Sequence, residues 1–341
     1  MTADRDGTDA RPPTRWGIAG PGSIAALVAA DFPLVPDAEL VAVGSRSIRR
    51  AEAFAAAHGI ARAHGSYADL IADGDVDVVY VATPHPQHHA IALAALRAGR
   101  AVLVEKSFTA TSAGAREVAD EARARGIFAM EAMWTRFLPA IARARELVGD
   151  GAIGDVCSVQ ADLGIAREFD PAHRLFAAEL GGGALLDLGV YAVSFAQMLL
   201  GEPRSVAAVG AHEPNGVEAS ATLLVGFGDG RTATLTTSLH CPLPGAARIF
   251  GTRGWIEVPP RFHHPTGLVL HREGRAPEEL HQPPLGLGYA HELIEVTRCV
   301  RAGRAESGVM PLADTLAVMD VLDRAAAQLG VQRGEDAGVE V

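Results

Sequence analysis

Up to about Trp134, short unbroken apolar runs alternate with stretches of helical period. Arg15 to Gly20 (RWGIAG) is a run that stops at glycine, and Ser23 to Asp31 follows it with a helical pattern. Glu39 to Gly44, Val76 to Ala82 and Ala101 to Glu105 are three more such runs. After them come helical stretches at Arg49 to His58, Gln87 to Ala98 and Ser112 to Arg125; in the first of these, Ala51, Phe54 and Ala55 share one face. Valine-rich runs without polar alternation are how strands covered on both faces read. Strand, helix, strand at this spacing requires right-handed crossovers. Residues 14–133 are therefore expected to form an α/β unit with a doubly wound parallel sheet.

Beyond Trp134 the pattern changes. A helix is expected from Ala140 to Val148, ending at Gly149-Asp150-Gly151, then a strand from Asp155 to Leu163 and a helix from about Ala184 to Leu200. Five β-like segments follow, at Ser205 to Ala211, Ala219 to Phe227, Thr232 to His240, Ala247 to Gly251 and Trp255 to Val258. Gly-Asp-Gly and Pro-Gly turns join them, as in an antiparallel meander. Helices at Tyr289 to Ala302 and Leu312 to Leu329 close an α+β half spanning 134–341, with no internal repeat. The stretches Ala166 to Glu179 and Pro259 to Pro284 read as loops that shape a pocket.

Composition narrows the function classes. The 341 residues suffice for two cores, and a net charge of −11 disfavours nucleic acid and an anionic membrane as partners. No apolar run is expected to reach the roughly 20 residues that span a bilayer. Residues 1–13, polar and proline-bearing, read as a disordered tail without the apolar core of a signal peptide, which implies a cytoplasmic protein. Cys157, Cys241 and Cys299 are far apart and read as reduced thiols.

Candidate chemistry sits where the runs end. Gly20-Pro21-Gly22-Ser23-Ile24-Ala25 fits G-x-G-x-x-G/A between a strand and a helix. Gly20 allows a tight turn, and Gly22 lets backbone approach a pyrophosphate at the helix N-terminus; a plain glycine-rich turn is the alternative. At the end of the second run stand Ser45 and Arg46 instead of the acid that binds the ribose of NAD. Ser45 does not repel a 2′-phosphate and Arg46 offers it a planar fork, with Arg49 and Arg50 nearby, so NADP is favoured over NAD. A solvated basic turn remains open.

Thr83, Pro84, His85, His88 and His89 follow the third run and are expected to line the cofactor or start a helix; with no acid or cysteine close by, metal ligation is disfavoured. Glu105 and Lys106 end the fourth run at the ligand-binding edge. Asp187 and Tyr191, four apart with Gly189 between, share a helix face behind Gly181-Gly182-Gly183. Hydride transfer from a carbinol needs a base, and a free tyrosine is a poor one at neutral pH. A neighbouring Lys106 cation would lower that pKa, which pairs Lys106 with Tyr191; a packed tyrosine with a capped hydroxyl is the alternative.

These pieces in this order, with HPQHHA, VLVEKS, EAMWTRFLPA, GGGALLDLGVY and FGTRGWIEV, resemble the glucose–fructose oxidoreductase/inositol dehydrogenase (Gfo/Idh/MocA) family over nearly the whole chain. The nearest likeness is to its branch of dimeric dihydrodiol and NADP-dependent D-xylose dehydrogenases. The resemblance implies a Rossmann domain followed by an α+β domain with an open, predominantly antiparallel sheet, used for a homodimer or homotetramer. The last helix is expected to pack back on the Rossmann domain. The resemblance gives Lys106 the catalytic lysine role, Tyr191 proton transfer and Asp187 substrate orientation, and sets Glu131, Trp134, Arg136 and Phe137 along the cleft. Ser107 stands where the family motif carries proline, which removes a φ restraint from the lysine loop. The implied reaction is hydride transfer between NADP and a carbinol of a sugar, polyol or cyclic diol. The alternatives are a cofactor-sensing regulator without catalysis and an enzyme that keeps NADP bound and shuttles hydride between sugars.

Overall fold

The structure, a computed structural model, describes residues 11–336 and 338–341. Most of the expected tail, 1–10, lies outside the described residues. Its remainder is exposed but tied down: Arg11 Nη1 donates to Arg301 O (2.7 Å), and Arg301 Nη1 donates to Pro12 O (2.7 Å).

The first sheet has six parallel strands, β1 (Thr14–Ala19), β2 (Ala38–Gly44), β3 (Arg62–His64), β4 (Val78–Val81), β5 (Ala101–Glu105) and β6 (Ala129–Ala132). Their spatial order is β3-β2-β1-β4-β5-β6. The order reverses between β1 and β4, and ligands of such sheets bind outside the carboxyl ends of the strands at that switch. Every residue of β4 and β5 is buried, which is why both read as unbroken apolar runs. The sheet is flanked by α1 (Ser23–Asp31), α2 (Ile48–His58), α3 (Tyr67–Ala72), α4 (His85–Arg97) and α5 (Ser112–Arg125). The apolar pattern does not reveal β3, α3 or β6. The first is three residues long with two polar side chains, and Glu131 interrupts the last.

The second sheet has eight strands: β7 (Val156–Gly164), β8 (Pro203–His212), β9 (Glu218–Phe227), β10 (Thr232–Ser238), β11 (Ala247–Gly251), β12 (Gly254–Val258), β13 (Gly267–Arg272) and β14 (Glu278–His281). They run in the order β14-β13-β12-β11-β7-β10-β9-β8, antiparallel except where β10 pairs with β7. The hairpin β13–β14 corrects the reading of Pro259 to Pro284 as loop throughout. Four further helices complete the chain, α6 (Pro139–Gly149), α7 (Val190–Leu200), α8 (Ala290–Arg301) and α9 (Leu312–Gln328). α7 covers β7 and β10, while α9 lies against α7 and β8 and also against α5 and β6 of the first sheet's layers. On the sheet's uncovered face Val209, Leu224 and Trp255 are 71%, 53% and 39% exposed.

The expectation of no membrane-length apolar stretch needs correction. Ala178–Leu200 is long and apolar enough by composition, but 89% of its most apolar window is buried inside the protein. It is a core element: the π-helical turn Leu185–Gly189 leads into α7.

Candidate active site

The turn after β1 is built to receive an anion. Gly20 has φ +99°, and a Cβ there would meet Ala82 O and Thr83 Cγ2 at 2.9 Å. In front of Gly22 the space is open, with nothing within 4 Å of a Cβ. Gly22 precedes α1 and makes no side-chain cap, so the N–H groups of the first turn at Ser23 and Ile24 remain available. Thr83 Oγ1, beside this turn, is buried without a partner. At the end of β2, Ser45 is buried and Arg46 and Arg50 are exposed, both close enough to Tyr67 to stabilise its phenolate. No acid stands there. These residues fit a dinucleotide with its pyrophosphate at Gly20–Ile24.

Lys106 projects from the end of β5. Its Nζ donates to Asp187 O (3.0 Å), lies 3.4 Å from Asp187 Oδ1 and sits 5.1 Å from the centre of the Tyr191 ring. Residues distant in sequence thus meet, on a turn that is π-helical rather than α-helical at Asp187. Arg174 Nη1 donates to the same Oδ1 at 3.0 Å. Burial alone would raise the Asp187 pKa, but the Lys106 and Arg174 cations outweigh it and hold the carboxyl well below the usual range.

The expectation that Lys106 lowers the Tyr191 pKa is not met. Burial raises it far above the ordinary phenol value, and the largest opposing influence is a hydrogen bond from Trp134 Nε1 (3.1 Å) to the hydroxyl. Lys106 lies over the ring face, where it meets the negative quadrupole rather than the oxygen. With its oxygen accepting from Trp134, Tyr191 keeps its own O–H free to donate.

Several other expected site residues face away from the cleft. Arg136 is 2% exposed, and its guanidinium is spent on Asp314 (2.6 Å), Ser194 and Gln197. A buried guanidinium needs its donors filled, and these partners lie inside, not in the cleft. His88 is fully buried, with Nδ1 3.0 Å from Ser107 O and Nε2 2.7 Å from Thr83 O. Burial lowers its pKa to about 4, so the neutral ring donates its one N–H to one of these carbonyls and lies against the other, tying the two ligand-side loops together from behind. His85 does the same for Lys106 O (3.2 Å) and Gly181 O (3.1 Å), while His89 pairs with Glu117. The Glu105 carboxylate accepts from the buried Tyr80 hydroxyl and points into the core. Phe137 is half-buried against the core.

Ser107 does not loosen the lysine loop. Its Oγ donates to Leu186 O (2.9 Å), and its carbonyl is held by His88. A hydroxyl bond to the Asp187 turn stands in for the missing ring.

The sequence reading missed the wall opposite Lys106. Tyr289 stacks on Trp134 at 4.4 Å, His264 lies 5.1 Å from the same indole, and His263 lies 5.4 Å from the Tyr191 ring. Burial lowers the His263 pKa to about 4. The signal available was two histidines between prolines at Pro260 and Pro265, in a stretch read only as a loop.

Beneath this wall lie buried carboxyls. Glu131 accepts from Phe108 N (3.2 Å), and burial pushes its pKa up to about 7. Glu292 is 0% exposed with neither oxygen partnered, and burial followed by the Glu105 and Glu131 charges raises its pKa well above normal. A raised folded pKa stabilises below the unfolded value and loses that contribution as pH climbs toward the folded one. Glu292→Gln is therefore expected to gain stability relative to wild type by about 1.4 kcal/mol per pH unit from about pH 5 until the raised folded-state pKa is reached, and to hold a constant difference above it. Denaturant titrations across pH check this; a difference flat over the whole range would contradict it.

The switch-point cleft, the open glycine turn and the Lys106–Asp187–Tyr191 group together define a nicotinamide-dinucleotide-dependent dehydrogenase. Residues 14–132 match the model of the oxidoreductase family with NAD-binding Rossmann fold, and 141–257 match the GFO/IDH/MocA C-terminal domain. The chain belongs to the GFO/IDH/MocA oxidoreductase family. It is 38% identical to trans-1,2-dihydrobenzene-1,2-diol dehydrogenase of Oryctolagus cuniculus, over 92% of this chain and 98% of that protein. The enzyme of the same name from Xenopus tropicalis is 37% identical over 93% and 98%. Among solved structures, the aldose-aldose oxidoreductase from Caulobacter crescentus complexed with glycerol aligns with TM-score 0.85 at 27% identity, covering 93% and 98%. A 3-ketoreductase from Actinomadura kijaniata in complex with NADP and TDP-benzene aligns with TM-score 0.81 at 28% identity, covering 94% and 99%.

Proposed function

We propose that the protein is an NADP-dependent dehydrogenase that interconverts a carbinol and a carbonyl of a sugar, polyol or cyclic trans-diol. The observation that carries the reading is the convergence of Lys106, Asp187 and the Tyr191 ring at the carboxyl end of β5, on the same edge of the sheet as the open Gly20–Ile24 turn. NADP, when bound, supplies the nicotinamide that exchanges hydride with the carbinol carbon. The N-terminus of α1 holds the pyrophosphate, and Arg46 the 2′-phosphate, with no acid at the end of β2 to favour NAD.

Tyr191 donates its proton to the carbonyl oxygen in reduction and takes it back in oxidation. Tyr191 carries that proton at neutral pH, and the Trp134 hydrogen bond opposes the burial that raises its pKa. The Trp134 Nε1 hydrogen bond stabilises the phenolate left behind. Asp187, kept ionised, accepts from a neighbouring substrate hydroxyl. The face bearing Val209, Leu224 and Trp255 is the surface for a homodimer or larger homo-oligomer, a reading that a monomeric sedimentation mass would contradict.

The test is an initial-rate panel of aldoses, inositols, polyols and a dihydrodiol with NADP⁺ and NAD⁺. Turnover of one class with NADP⁺ preferred supports the reading. Equal rates with NAD⁺ would remove the Arg46 role, and silence with NADP bound would favour a cofactor sensor.

A further inference from the structure

After α9 the chain turns at Gly330 (φ +71°) and crosses back over the first sheet's helices. Residues 331–336 form three anchors in six positions. Arg333 Nη2 donates to Glu218 Oε1 at 2.8 Å, a pair whose side chains are 8% and 0% exposed. Glu335 accepts from Thr111 N (2.8 Å), Thr111 Oγ1 (2.7 Å) and Ala110 N (3.3 Å). Asp336 N donates to Pro86 O (2.7 Å), and Asp336 Oδ2 accepts from Gln87 Nε2 (3.2 Å).

Each anchor ends one step behind a residue of the cleft. Thr111 caps α5, its Oγ1 accepting from Gly114 N (3.0 Å), and Glu335 adds an acceptor for the free N–H groups ahead of that helix. Residues 106–111, which carry Lys106, run directly into this cap. Pro86 stands between His85 and His88, whose rings hold Lys106 O and Ser107 O. Glu218 Oε1 also accepts from Leu185 N (3.2 Å), the first residue of the turn that bears Asp187. One short strap therefore fastens the lysine loop, its clasping helix and the aspartate turn to one another.

We infer that this C-terminal strap, with Glu335 at its centre, positions Lys106 against Asp187. Glu335 is a positioning residue that touches neither substrate nor cofactor. The Lys106–Asp187 contact joins the end of β5 to a helical turn packed on the second sheet, and its carboxylate arm is already at the long end of a hydrogen bond (3.4 Å). Loss of a strap anchor leaves the lysine loop and the aspartate turn free to shift separately. Displacements of an ångström in such a pair cost turnover well before they cost binding.

The inference rests on the proposed dehydrogenase activity, so the test carries a readout independent of turnover. In the full chain, Glu335→Ala is expected to lower kcat about tenfold or more, with NADP affinity within about twofold of wild type. Glu335→Gln, which keeps one acceptor oxygen for Thr111, retains kcat within about threefold. Hydrogen exchange rises in Glu335→Ala at residues 106–111 and 183–189. An unchanged kcat in Glu335→Ala would overturn the inference. So would parallel loss of kcat, NADP affinity and melting temperature in both variants, which is the mark of a general structural defect. Should the wild type turn over no carbinol, the proposed activity fails by itself; exchange then decides the strap, and unchanged protection in Glu335→Ala overturns it.

Discussion

Replacing Tyr191 with phenylalanine is expected to lower kcat by about three orders of magnitude while NADP affinity stays within about twofold. The size follows from the geometry of the hydroxyl. Tyr191 is 8% exposed and its oxygen accepts from Trp134, so no bulk water can take its part in proton transfer without disturbing the stacked wall of Trp134 and Tyr289. Phenylalanine keeps the ring under Lys106 and the packing of α7, and removes only the proton and its acceptor. Steady-state rates and cofactor titration measure the two quantities. A variant within about tenfold of wild type would assign proton transfer elsewhere, with His263 the next group to examine.

Lys106→Met carries the second large effect, an expected fall in kcat of about two to three orders of magnitude. The ammonium does two things that methionine cannot. It lends positive charge to the face of the Tyr191 ring at 5.1 Å, and it bonds both the carbonyl and the carboxylate of Asp187. With Lys106 gone, the largest influence left against the burial that raises the Asp187 pKa is Arg174, with His85 after it, and Arg174 is 57% exposed and screened by solvent. The Asp187 pKa therefore rises toward the ordinary carboxylate range or above. Since Asp187 acts as a carboxylate, the acid limb of kcat/KM moves to higher pH in the variant. Rate profiles across pH check both parts; an unshifted acid limb would mean that Lys106 does not set the charge of Asp187.

Much of this fold is readable from the chain, and the exceptions share a cause. The ends expected for the helices at Ser23 to Asp31 and Ser112 to Arg125 coincide with those of α1 and α5: the glycine turn marks the start of the first, and Thr111 and Gly126 cap the second. β3 and β6 escape because a three-residue edge strand and a strand with a central glutamate carry no apolar run. The long-range pairings are harder still. Arg136 stands in a segment that looks like cleft lining, yet its partners Ser194, Gln197 and Asp314 lie 58 to 178 positions away and draw it inward.

The same limit explains His88 and Ser107. A histidine after the third strand has the placement of a cofactor ligand, and only the fold shows that Thr83 O and Ser107 O flank its ring. A serine in place of proline suggests a looser loop, until the loop is seen against Leu186 O. Lys106, Asp187 and Tyr191 were legible because the motif residues carry them in order, whereas Glu335 was not. Its role depends on where the chain returns after α9, and nothing around residue 335 announces the cap of α5.

The most direct measurement is a single turnover with NADP⁺ and a carbinol deuterated at the reacting carbon, using the panel member that reacts fastest. The account predicts that the deuterium appears on the nicotinamide ring, with Tyr191→Phe transferring it far more slowly. Deuterium lost to solvent in the wild type would contradict direct hydride transfer between substrate and NADP, and with it the reading of this cleft.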